Sequence, residues 1–151
     1  MSEEKLLRSV QRLAGALGRL ERQAAAKGGV TVSQLRVLSY LAERFPATVR
    51  VSDLADDQGL AVSTMTRNLA VLERKGWVIR LQGSADKRTV HVTLSDSGRE
   101  MAARLQDATI TNFARAFHAF HPTDRVERAA ALDRVAAALD DADTKGTTAG
   151  R

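Results

Sequence analysis

The sequence has no cysteine. A disulfide framework, a thiolate zinc site and a thiol redox switch are therefore excluded. Aromatic residues make up only 4% of the chain, so any core must be built mainly from leucine, valine and alanine. That palette suits helices more than a β-sandwich. No run of about 18 apolar residues occurs, so no segment is expected to span a membrane. The N-terminal MSEEKLLRSV has acids where a secretory signal needs basic charge, and it lacks a long apolar stretch. A cytoplasmic protein is the expectation.

Catalytic signatures are missing too. No serine sits in a Gly-x-Ser-x-Gly elbow, and there is no glycine-rich phosphate loop. The acid pairs Asp56-Asp57 and Asp140-Asp141 fall on exposed helical faces or near the tail. Neither an enzyme nor a cofactor is expected. His118 and His121 are three residues apart near a helix end. No cysteine joins them, nor does a carboxylate at clear ligand spacing, so a surface or capping role is expected rather than a metal site.

What is present is basic and helical. The 151 residues suffice for one compact domain that buries roughly 70% of its unfolded surface. The net charge is +5, which favours a polyanion partner but says nothing about fold. Leu6, Val10, Leu13, Leu17, Leu20 and Ala24 recur at alternating steps of four and three. That is the seam spacing of packed helices, and it predicts a helix over 3–26. On spacing alone the seam fits a core face as well as a subunit interface. Gly28-Gly29 should stop it. Thr31 and Gln34 are spaced as a capping box for a second helix that buries Leu35, Leu38 and Leu41. A short third helix follows in VSDLADDQG, with Asp53, Asp56 and Asp57 expected near its positive end. LAVSTMTRNLAVLERKG makes a fourth, closed by Gly76. Its buried face should be Val62, Met65, Leu69 and Leu72, with Ser63, Thr64, Arg67, Asn68 and Val71 opposite.

Period-two runs in WVIRLQ and VHVTL flank GSADKR and read as a hairpin with an extended tip. In the first run Trp77, Ile79 and Leu81 form the apolar phase. Ser95 can cap a long fifth helix whose apolar side runs through Met101, Leu105, Ala108, Phe113 and Phe117. Pro122 suits the first turn of a sixth helix, striped by Val126, Leu132 and Leu139. The polar, glycine-rich residues 143–151 are expected to be disordered.

The third and fourth helices have the marks of a helix-turn-helix. Ala55 lets them approach, Gly59 permits the turn, and Met65 fills the angle. A helix that reads a major groove needs short hydroxyls, an amide and an arginine near its start. Ser63, Thr64, Thr66, Arg67 and Asn68 supply them, and no acid occurs from 58 to 72. The hairpin adds Lys87 and Arg88 at its tip. Beside a reading helix such a tip would lie over the adjacent minor groove, whose negative potential attracts arginine. Asp86 is placed to hold the Arg88 guanidinium.

These residues carry a resemblance. From about 31 to 98 the chain resembles the multiple-antibiotic-resistance regulator (MarR) family of winged-helix transcription factors. The resemblance rests on TVSQLRVL at 31–38, STMTRNL and LERKGWV within 63–78, DKR at 86–88 and VTLSDSG at 92–98. It implies a mainly α fold with a small β-hairpin wing, in which a winged helix-turn-helix (31–98) is flanked by dimerisation helices at 3–26 and 99–140, all within one domain of 1–142. It implies a homodimer, with Leu6, Val10, Leu13, Leu17, Phe113, Phe117, Leu132 and Leu139 at the interface. It matches Arg67 to a DNA-contacting arginine and Arg88 to the wing arginine that enters the minor groove. It implies sequence-specific binding to a pseudo-palindromic, double-stranded operator, with repression of transcription and release by a small ligand.

 The ligand so implied is small, aromatic and anionic, seated in a cleft between the dimerisation helices and the DNA-binding lobe. The first, second and fifth helices that would line this cleft offer arginine and phenylalanine. A winged helix can instead serve as a protein-interaction module, and activation or ligand-independent control is also open at this stage.

Overall fold

A computed structural model describes residues 2–148 except 84, 87 and 119, with 143–148 described by their backbone alone. The N-terminal leucine seam forms α1 (Glu3–Gly28). It ends at Gly29, whose φ of 68° is left-handed and favours glycine. The Val30 N–H then donates to the Ala25 carbonyl at 3.0 Å. α2 (Val32–Arg44) opens on the expected capping box. The Gln34 N–H donates to Thr31 Oγ1 at 3.1 Å, and the Thr31 N–H donates to Gln34 Oε1 at 3.2 Å.

Next come β1 (Val49–Arg50), α3 (Val51–Asp57) and α4 (Val62–Arg74). The hairpin is β2 (Val78–Gln82) and β3 (Val90–Leu94), and α5 (Asp96–Phe117) and α6 (Pro122–Thr148) follow. The sheet is antiparallel in the order β1-β3-β2. Val49 lies opposite Val92, and Val92 opposite Arg80. β1 was not expected. Two residues are too few to show an alternation, and only pairing with β3 makes them a strand.

The chain forms two compact units, Met1–Phe113 and Ala114–Arg151. In the first, Leu38, Leu54, Met65, Leu69, Leu72 and Val92 have no solvent exposure. Each such aliphatic side chain contributes about 1.5–3 kcal/mol by leaving water. α5 is fixed at its start by a serine cluster. Ser95 Oγ accepts from the Gly98 N–H at 3.0 Å, while Ser95 and Ser97 hydroxyls both donate to the Gly76 carbonyl. A Cβ on Gly98 would lie 1.9 Å from the Trp77 carbonyl oxygen, so this contact needs glycine. In the second unit the Phe117 and Phe120 rings meet at 5.4 Å. The Arg128 guanidinium lies 4.3 Å from the Phe120 ring centre. His121 pairs with Thr123 at the entry to α6, as a capping residue would.

Four expectations change. Val62 is 50% exposed, because it opens α4 before the helix reaches the core. Asp56 and Asp57 stand in the last turn of α3, with only Asp53 in the first, so the dipole favours Asp53 alone. In β2 the buried residue is Val78, while Ile79 and Leu81 are exposed. The sheet packs through the Val78–Arg80 phase, which local pattern reads the other way. Finally, α6 continues to Thr148, through residues 143–148 that were expected to be disordered.

Candidate nucleic-acid interface

α3 and α4 meet at a turn whose residues explain its shape. Ala55 and Met65 are fully buried between the helices. Gly59 has φ +62°, and the Leu60 N–H donates back to the Ala55 carbonyl at 2.9 Å. α4 therefore leaves the turn with its N-terminal half outward. Its N-cap is Ala61, which offers no capping side chain. Ser63, Thr66 and Arg67 are exposed, whereas Thr64 and Asn68 are half-buried. Asn68 is already engaged: its Nδ2 donates to Ser33 Oγ on α2 at 2.8 Å. That bond helps seat α4 against α2 and engages one of the amide's two N–H groups. Arg67 has no ion pair among the described residues.

Arg80 ties the wing to α4. Arg80 on β2 donates from Nη2 to the Thr66 carbonyl at 2.9 Å, and its Nε lies 3.1 Å from Glu73 Oε2. The Nε geometry makes this an ion pair and not a hydrogen bond. Arg80 is a basic residue of the wing, yet it faces inward. Lys75 is likewise used internally. Its Nζ donates to the Gly29 carbonyl at 3.1 Å and sits 4.8 Å from the Trp77 ring centre.

At the tip, the Gly83 N–H donates to the Thr89 carbonyl at 2.8 Å and the Thr89 N–H to the Asp86 carbonyl at 3.0 Å. Asp86 Oδ1 accepts from the Arg88 backbone N–H at 2.9 Å and lies 3.7 Å from its guanidinium. Asp86 thus shapes the turn first and steers the guanidinium loosely. The Arg88 side chain is 96% exposed. Lys87, the other tip cation, lies outside the described residues.

The expected interface residues are distributed on open surface. Leu6, Leu13, Leu17, Phe113, Leu132 and Leu139 are exposed, while Val10 and Phe117 are half-buried. No described residue of α6 is buried. Among α1, α2 and α5 lies a cavity of about 430 Å³, walled by Leu17, Leu35 and Ile110. Glu21, Glu43, Ser39, Gln106 and Thr109 supply its polar lining. Neither arginine nor phenylalanine lines it, contrary to expectation; Arg36 lies in the adjoining groove, paired with Glu21. The Glu21 hydrogen bonds raise the Arg36 pKa above its ordinary value, against the opposing effect of burial.

Comparison with known proteins gives consistent likenesses. Residues 30–90 match the model of the MarR family. YfiV, an uncharacterized HTH-type transcriptional regulator of Bacillus subtilis, is 26% identical over 113 residues, covering 75% of this chain and 69% of its own length. The HTH-type transcriptional regulator FarR of Neisseria gonorrhoeae is 32% identical over 75 residues, half of each chain. A MarR-family regulator from Rhodococcus sp. has the same fold, with a TM-score of 0.76 at 20% identity over 90% of this chain and 95% of that one. NadR in complex with 4-hydroxyphenylacetate gives 0.71 at 23% identity, over 85% and 89%. Staphylococcus aureus MepR bound to an oligodeoxyribonucleotide gives 0.61 at 18% identity, over 92% and 99%.

Proposed function

The chain belongs to the MarR family of transcriptional regulators, and from that premise we propose that it is a homodimeric, sequence-specific DNA-binding repressor released by a small ligand. One observation carries the DNA-binding part. An acid-free helix face with exposed Ser63, Thr66 and Arg67 stands beside a wing whose Arg88 is almost wholly in solvent, and Arg80 holds the two together. In this reading α4 enters a major groove, with Thr64 and Asn68 at the edge of the contact and Asn68 braced by Ser33. Arg88 reaches into the adjacent minor groove, Asp86 shapes the tip that presents it, and Lys87 adds charge against the phosphates.

The exposed apolar stripes support the dimer. Leu6, Val10, Leu13 and Leu17 on α1, Phe113 and Phe117 on α5, and Leu132 and Leu139 on α6 would pack against a second copy. Two reading helices would then address half-sites roughly 34–36 Å apart on one face of the duplex, which is why a pseudo-palindromic operator is proposed. The cavity among α1, α2 and α5 is the proposed ligand site, since it adjoins both the α1 and α5 stripes and the winged helix. The NadR complex shows a relative of the same fold holding a small molecule.

Selection of bound sites from random duplex DNA tests the proposal. A two-fold symmetric consensus is expected. Affinity for it should fall with salt, with a log–log slope of roughly −0.9 per neutralised phosphate. Failure to retain any duplex at low ionic strength would refute DNA binding.

A further inference from the structure

We propose that the cavity among α1, α2 and α5 takes a small organic cation, an amine on an aromatic or apolar body. The proposal rests on the ligand-release reading above and fixes the charge of the ligand. About 430 Å³ falls within the roughly 300–1,000 Å³ of small-molecule sites. Leu17, Leu35 and Ile110 give an apolar wall for the body of such a ligand.

The head group is decided by what else lines the cavity. Both charged residues there, Glu21 and Glu43, are carboxylates. The nearby cations are already occupied. Arg36 gives Nε and Nη2 to the two Glu21 oxygens at 3.3 and 2.6 Å. The Arg44 guanidinium lies 3.4 Å from the Tyr40 ring centre, donates to the Tyr40 carbonyl at 3.2 Å and forms an ion pair with Glu43 at 3.6 Å. The adjoining groove, which shares Glu21 and Glu43, adds Asp57 to those two arginines. Three carboxylates thus face two guanidinium groups, and the excess is negative.

Within the neutral lining, Thr109 points the same way. Thr109 Oγ1 spends its proton on the Leu105 carbonyl at 2.9 Å, so toward a ligand it can only accept. An ammonium brings donors and positive charge to these acceptors and to Glu43. A carboxylate would meet this excess negative charge with both nearby arginines already engaged. The anionic ligand implied by resemblance fits this lining poorly.

Tyramine and 4-hydroxyphenylacetate share a phenol and differ in the sign of the head group, so they form a matched pair of probes. Calorimetric titration of the full-length protein should show tyramine binding at least about tenfold more tightly. Glu43→Gln should weaken tyramine about tenfold, and Glu43→Lys should reverse the preference. The melting temperature of each ligand-free variant checks that it folds. Equal or tighter binding of the acid, absence of tyramine binding, or indifference to Glu43→Gln would overturn the proposal. A gel shift on the ligand-free protein separates the two readings. Retained DNA binding with failed tyramine binding overturns only the cation, whereas lost DNA binding overturns the regulator.

Discussion

Arg88 owes its position to a turn and not to packing. Its guanidinium is in solvent, and its backbone N–H is held by Asp86. Removing the side chain should therefore leave the fold alone and act only on binding. Arg88→Ala is expected to weaken operator binding by about 1–3 kcal/mol with an unchanged melting temperature, measured by fluorescence anisotropy beside thermal denaturation. Thr31 is the opposite case. Its hydroxyl satisfies an N–H at the start of α2, and Gln34 returns the bond. Thr31→Ala should lower stability by about 1 kcal/mol in urea denaturation, while Thr31→Ser should retain most of it. Both residues were readable from sequence, because turns and caps are local chemistry.

At the scale of elements, Arg80 braces the wing against α4. Its donor reaches a main-chain carbonyl on α4 and its charge meets Glu73. Arg80→Gln removes the ion pair and shortens the reach. DNA affinity should fall by about 1–2 kcal/mol through a faster off-rate, although the side chain itself need not touch DNA. Amide hydrogen exchange separates this from loss of a direct contact. Exchange in 78–94 should quicken in the free protein. Unchanged exchange would leave Arg80 as an ordinary surface cation. The inward phase of β2 was hidden locally. Ile79 and Leu81 look like the buried set, and only pairing of Arg80 opposite Val92 shows which face meets the helices.

For the whole molecule, exposed apolar surface is the dominant fact. Leu139 is 56% exposed and Leu13 41%, and a second copy of the chain is the proposed cover. Leu13→Glu should shift the protein from dimer to monomer in light-scattering chromatography. It should also cut affinity for a two-half-site duplex by at least about tenfold, because the second half-site no longer binds as part of one molecule. A persistent dimer would remove the α1 stripe from the interface. The seam's spacing left core and interface equally open, since both ask for the same period. Within one chain only Ala24 and Ala25 of α1 are buried, which favours the proposed interface.

The sequence by itself determined the helix order, the caps at Thr31 and Ser95, the glycine turns at Gly29, Gly59 and Gly76, and the short hydroxyls and arginine gathered on α4. Each depends on residues within a turn or two of one another, where steric and hydrogen-bonding preferences act directly. The tertiary structure alone decided the partner of Asn68, the inward turn of Arg80, the pairing of β1 and the acidic lining of the cavity. Those depend on groups brought together from 14 to 43 positions apart or more, and the spacing of residues along a chain carries no record of such meetings.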